Sequence, residues 1–454
     1  MRRHYKLKLV SFVIASSLSS ISYAAGFALI EQSVTSLGRA FAGSAAVAED
    51  ASTIFFNPAG LSYLSHSEFS AGLNLINPKS DFYNEGSALQ DGTPITGNGD
   101  DGGRLGLVPN LYYAQRLNDR MVAGIGINAP FGLVTEYDDN WVGRYQAIKS
   151  SLKTVNINPS FAFQTTEKLS LGFGINLQHA ELALSQAIDF GSACASTSVS
   201  TNPSVTAPLK ALAATCAAPQ AYDGKLKMTA DDWSWGYNLG LMFQANEATR
   251  IGFAYRSKIS HHLKGEGNFS KPNNAAVQTV ANAIGFSNGN IDGKVTLPES
   301  ASVAIHHQIN AQWAIMGDAS WTRWSRFQTL TVNSDDSERL NSSKEEKWDN
   351  NMRYGIGLTY LHNDTWTFRG GIAYDETPVS DQYRTPRIPD EGRKWIALGA
   401  SYKYSENIIL DAGYSHLFVS DPTLNETDDK GYNLKGKYKS SVDILGIQMR
   451  WIFL

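Results

Sequence analysis

From about residue 67 the chain alternates apolar and polar positions with period two, again and again. In "TWTFRGGIAYD", Trp366, Phe368, Gly370, Ile372 and Tyr374 fall on one face, and Thr367, Arg369, Gly371, Ala373 and Asp375 on the other. "IILDAGYSHLF" sets Ile408, Leu410, Ala412 and Tyr414 against Ile409, Asp411, Gly413 and Ser415. "DILGIQMRWIF" sets Leu445, Ile447, Met449, Trp451 and Phe453 against Gly446, Gln448 and Arg450. Alternation of this kind predicts strands with one dry and one wet face. About fourteen such segments begin near residues 67, 106, 119, 152, 168, 226, 249, 294, 310, 350, 365, 393, 407 and 440.

A soluble β-sandwich also alternates, with its dry face inward. Three features favour a membrane barrel instead: long strands, aromatic residues near strand ends, and an aromatic-rich final strand. Lipid offers no hydrogen bonds, so the strands must close on themselves. The fold class is therefore all-β, a 14-stranded antiparallel transmembrane β-barrel. An even strand count returns both ends to the periplasmic side. The stretches 79–104, 189–224, 271–290 and 376–392 lack periodicity and read as extracellular loops. "APLKALAATC" and "NAAVQTVANAIGF" carry helical spacing within two of them.

The start of the chain changes the compartment. Arg2, Arg3, Lys6 and Lys8 precede the short apolar run "LVSFVIASSLSSIS" and the small-x-small site Ser22-Tyr23-Ala24. Residues 1–24 thus read as a cleaved export signal, too short in its apolar part for a spanning helix. Removing four basic and no acidic residues takes Lys+Arg from 39 to 35 against 43 acidic, so the net charge moves from −4 to −8. An acidic balance argues against nucleic acid as partner. Cys194 and Cys216 bracket a Ser/Thr/Ala-rich segment. In an oxidising compartment they read as one disulfide, with two free thiols as the alternative. No P-loop, dinucleotide or zinc spacing occurs. His261-His262 and His306-His307 are strand neighbours and point to opposite faces, so neither pair holds one metal. No cofactor and no metal is expected.

Residues 25 to 65 have small side chains and no clean alternation, and they precede the first strand. They read as a plug inside or beneath the barrel. Asn57-Pro58-Ala59-Gly60 is a rigid turn within it, because proline fixes one backbone angle and asparagine bonds its own turn. The alternative is an ordinary turn leading into the first strand.

"AGFALIEQSVTSLGRAFAGSAAVAEDASTIFFNPAGL" resembles the N-terminal hatch of the FadL family of outer-membrane transporters for long-chain fatty acids and related hydrophobic compounds (OMPP1/FadL/TodX), including its Asn57, Pro58, Ala59 signature. "YDETPVSDQYRTPRIPDEGRKWIALGASY" resembles the family's C-terminal signature, and "SWTRWSRFQTL" and "RIGFAYRSKISHHLKGEGNF" are similar to family strands. The resemblance implies a monomeric barrel in the outer membrane of a Gram-negative bacterium, set among lipid and lipopolysaccharide by the barrel-assembly machinery. It implies passive uptake: capture in an extracellular groove, an internal pocket, and lateral release through a kink in the third strand. In "MVAGIGINAPFGLVTEYD" the kink is expected at Ala129, Pro130, Phe131, Gly132 and Leu133, since Pro130 cannot donate to a ladder. A simple strand end at Pro130 is the alternative.

By matching motifs, the resemblance makes Lys344, Asp375 and Arg393 ligand-binding candidates for a carboxylate headgroup. For each, an internal salt-bridge ladder is the competing role. Glu181 stands where some relatives carry a basic residue, which keeps a neutral aromatic hydrocarbon open as ligand. A general porin would need an unplugged lumen. An outer-membrane acyl-hydrolase would need a Ser/His pair, and Ser415-His416 fall on opposite faces. A surface adhesin or phage receptor leaves no sequence trace. No catalytic residue is expected.

Overall fold

The computed structural model describes residues 26–453, so the export signal read over residues 1–24 lies outside the described residues. Fourteen antiparallel strands form the wall. They are β1 (Ser67–Asn84), β2 (Gly106–Asn118), β3 (Met121–Asn128 and Gly132–Glu136), β4 (Lys149–Gln164), β5 (Leu169–Asp189) and β6 (Asp223–Gln244). Then come β7 (Thr249–Arg256 and Ile259–Ser270), β8 (Gly289–Leu297 and Ser300–Gln308), β9 (Trp313–Thr322) and β10 (Asn351–Leu361). β11 (Trp366–Asp375), β12 (Arg393–Lys403), β13 (Ile408–Val419) and β14 (Asn433–Phe453) complete the wall. β1 pairs with β14 from Ser67↔Phe453 to Asn84↔Gly436, which closes the ring. A hairpin (Thr329–Asn333 with Ser342–Glu345) rises above β9 and β10.

The predicted alternation is realised as lipid-facing and lumen-facing rows. On β6, Trp233, Trp235, Tyr237 and Leu239 are exposed while Asn238, Gly240 and Met242 are buried. The buried row carries polar groups that bond one another. Asn156 donates to Asn128 (3.1 Å) and Asn176 (2.9 Å), and Asn158 and Asn176 each donate to Asn238 (3.0 Å). A closed barrel satisfies its backbone, so the lumen can be polar while the outside is greasy.

Residues 26–64 sit within the ring as short helices (Val34–Leu37, Ser44–Val47, Thr53–Phe56) and a 3-10 turn (Pro58–Tyr63), nearly all buried. Helices this short leave most backbone groups without internal partners, and the wall supplies them. Arg250 donates to Ala46 O (2.6 Å) and Val47 O, Arg256 to Phe55 O (2.8 Å), and Arg353 to Ala40 O. Asp318 accepts from Gly43 N (3.1 Å), and Gln448 accepts from Val34 N (3.0 Å). Asn57 caps the 3-10 turn by accepting from Ala59 N (3.1 Å), and its amide donates to Ala45 O (2.6 Å) and to Leu241 O on β6 (3.2 Å). Two wall glycines make the seat. A Cβ on Gly172 would lie 2.1 Å from Ala59 N, and one on Gly240 would lie 2.0 Å from the Asn57 side-chain oxygen.

Above the wall, helices Phe190–Ser198 and Ala207–Ala214 are joined by the Cys194–Cys216 disulfide. They pack with helix Ala275–Ala283 around buried Phe190, Phe269 and Phe286. Two loop readings change. β1 continues to Asn84, because its upper half still pairs with β14 although the residues from 79 on lack periodicity and read as loop. Residues 376–392 turn inward rather than outward: Val379, Arg384, Ile388 and Asp390 are buried. Asp390 tolerates burial because Arg393, Thr377 Oγ1 (2.6 Å) and Gly26 N (3.1 Å) all donate to it.

Candidate functional site: a kinked strand and two lumenal cavities

β3 leaves the wall after Asn128. Its pairing with β2 reaches only Leu111↔Ile127, and its upper piece pairs with β4 alone, from Gly132↔Lys153 to Glu136↔Lys149. Residues 106–110 of β2 therefore keep β1 on one side and have no paired strand on the other. The register explains the kink. Below it, Asn128 opposes Asn156; above it, Gly132 opposes Lys153. Four steps along β3 match three along β4, so β3 carries one extra residue, as in a bulge. Pro130 lies in that interval and offers no N–H to a ladder.

The hatch takes up the freed backbone. Leu29 N donates to Pro130 O and Gly132 N to Phe27 O, both at 2.9 Å. The Gln32 side chain donates to Ala129 O (2.8 Å) and accepts from Ala129 N (3.2 Å). From the other side Thr154 Oγ1 donates to Phe131 O (2.6 Å). Backbone turned into a barrel must find such partners, since an unpaired buried group is costly. Around the clasp stand Phe27, Phe131, Trp324, Phe327 and Trp348, with ring centroids 4.5 to 6.2 Å apart.

Two cavities border this aromatic group. The upper and smaller one is apolar (Phe27, Leu133, Leu152, Leu182, Phe327, Ile388) except for Glu346, Arg387, Ser150 and Ser151. The lower and larger one runs between the hatch and the wall, past Pro130 and Phe131, and includes Arg256, Arg353 and Asp375.

The residues read from sequence are divided between these places. Asp375 lines the lower cavity, on the rung opposite Arg353 and Arg393. Arg393 is 1% exposed, ion-paired with Asp390, and lines neither cavity. Lys344 is half-exposed on the hairpin and paired with Glu426, beside the upper cavity rather than in its wall. Glu181 is exposed on the outer face, so it does not bear on the pocket. Arg387 and Glu346 were not read from sequence. Arg387 stands between two prolines in "TPRIPD", a rigid presentation that was the available signal. The paired histidines split as expected: His261 faces inward to Asp232 and Gln178, and His262 outward to Asp292.

A closed fourteen-stranded barrel with an internal plug, lumenal cavities and a break in its wall defines a channel of the outer membrane. The chain belongs to the family described as outer membrane protein transport protein (OMPP1/FadL/TodX), whose model matches residues 15–453. The family consists of transport channels, not enzymes. The chain is 31% identical over 419 residues, 91% of its length and 92% of the relative's, to the long-chain fatty acid transport protein of Escherichia coli strain K12. It is 32% identical over 456 residues, 95% of each chain, to outer membrane protein P1 of Haemophilus influenzae. Among solved structures it resembles a Pseudomonas aeruginosa FadL homologue (TM-score 0.84, 25% identity, 95% of this chain and 100% of that one). It also shares its fold with the Ralstonia pickettii toluene transporter TbuX (TM-score 0.62, 20% identity, 89% and 94% of the chains).

Proposed function

We propose that this channel takes up long-chain fatty acids passively and releases them sideways into the outer membrane. Residues 25–65 act as its plug and residues 1–24 as its export signal. The carrying observation is the gap between β2 and β3 beside two cavities, with the kinked backbone clasped by the hatch. The E. coli relative's name supports the ligand class. A fatty acid gains roughly 0.8 kcal/mol per buried methylene, so the cap around Phe190 and Phe286 and the apolar upper cavity draw it from water without an energy source. In this reading the chain acts as a monomer among lipopolysaccharide, inserted by the barrel-assembly machinery. Cells lacking their own transporter test it. Expression of this chain is expected to give saturable uptake of radiolabelled oleate well above vector. Uptake at vector level, with the barrel at the surface, contradicts a fatty acid substrate and turns attention to neutral aromatic hydrocarbons.

A further inference from the structure

The upper cavity has one cation in its wall. Arg387 enters on the inward-folded loop, between Pro386 and Ile388. It is held by neutral oxygens: Lys149 O (3.3 Å), Ser150 Oγ (3.1 Å) and Gln186 Oε1 (2.7 Å). Thr135 Oγ1 donates to Arg387 O (2.9 Å) and Tyr137 OH to Pro386 O (2.9 Å), so the loop is pinned to the upper piece of β3. Opposite lies Glu346, 3% exposed, which accepts from Trp348 Nε1 (3.2 Å). The neighbouring carboxylate Glu426 is already engaged by Lys344. The lower cavity differs: Arg256 and Arg353 there each donate to a hatch carbonyl, and Arg353 already has carboxylates beside it, ion-paired with Asp318 (3.5 Å) and on the rung opposite Asp375.

We infer that Arg387 and Glu346 form a headgroup site in the upper cavity, which selects amphiphiles bearing one carboxylate over neutral hydrocarbons of similar length. This rests on the uptake reading above and deepens it. A carboxylate brought between Leu133, Leu152, Leu182 and Phe327 loses its water and needs a charged donor. Arg387 supplies two-nitrogen geometry on a carrier held by β4 and β5 of the wall rather than by the hatch.

Glu346 tunes the site. Burial raises its carboxyl to about 8; Glu426 adds to the rise, and Lys344 and Arg387 oppose it. Burial lowers Arg387 to about 10, against Glu426 and Glu346, so it stays cationic at neutral pH. With Glu346 protonated, Arg387 and Lys344 outnumber Glu426 by one charge, and Glu346 donates a second hydrogen bond to the ligand. The sign follows: the protonated form binds the anion, so carboxylate affinity is present below about pH 8 and falls as pH rises through it. Its lower limit is the ligand's own protonation, roughly pH 5.

Displacement of the fluorescent fatty acid cis-parinarate from the purified channel, by oleate and by methyl oleate, tests this. Wild type is expected to prefer the acid by roughly 10- to 100-fold at pH 7, the worth of a hydrogen bond to charge. Arg387→Gln is expected to lose that preference while methyl oleate binding stays, and Arg387→Lys to recover part of it. Glu346→Gln is expected to keep the preference above pH 8, where wild type loses it. An undiminished preference in Arg387→Gln overturns the proposal, as does equal binding of acid and ester by wild type. Binding of neither ligand by wild type overturns the uptake reading itself. Heat-modifiable migration and methyl oleate binding show that each variant is folded.

Discussion

Glu49→Ala is expected to unseat the hatch while leaving the barrel folded. Glu49 joins two arginines. Arg39, from the hatch, bonds one carboxylate oxygen (2.9 Å), and Arg369, from β11, the other. Both arginine side chains are 2% exposed. Arg39 keeps Ala42 O and Thr35 O, and Arg369 keeps Ser401, but their charges lose the counter-ion. Removing one partner of a buried pair costs roughly 3–5 kcal/mol, because a charge is left uncompensated. The loss falls on hatch docking, since the wall ladders beside Arg369 remain. In a planar bilayer, wild type is expected to conduct ions poorly and Glu49→Ala to open often, with unchanged heat-modifiable migration. A variant as tight as wild type would mean that the remaining hatch contacts suffice.

Deleting Pro130 is expected to abolish uptake by closing the wall. One residue fewer lets the ladder run on from Asn128↔Asn156 without its offset, and Gly132 then reaches Lys153 in the lower register. The straightened strand would meet residues 106–110 of β2 and withdraw Phe131 from the aromatic group. Oleate uptake is expected to fall more than about tenfold at equal surface level, as a blocked exit raises the barrier by at least 1.4 kcal/mol. Binding of oleate in the upper cavity is expected to persist, because Arg387 is held by β4 and β5. Unchanged uptake would place the exit elsewhere.

Much of the barrel was legible because lipid and lumen impose opposite chemistry on successive residues. Nine of the fourteen strand starts fall within two residues of their reading, β4, β6 and β9 miss by three, and β8 and β14 begin earlier by more, at Gly289 and Asn433. Their upper ends project past the membrane, where alternation loses its cause. Pro130 stands in the interval where β3 shifts register, but the offset is a relation between strands that no single strand displays. Leu133, read as part of the kink, pairs with Leu152. Parity alone would have turned Glu181 outward, in phase with Phe173, Ile175 and Leu177. The cavity residues were the least legible. Lys344, Asp375 and Arg393 carry charge in the right neighbourhood, yet which cation meets the cavity depends on how residues 376–392 fold back. That loop has no periodicity to read.

Photolabelling separates lateral release from passage through the plug. A diazirine-bearing oleate analogue would be photolysed on the channel in lipid vesicles and the adducts mapped by mass spectrometry. Adducts on residues 106–111 of β2 and on Phe131 to Leu133, lost when Pro130 is deleted, are the predicted result. Adducts running through the plug to residues 62–66 at the periplasmic end, and absent from the β2 edge, would contradict it.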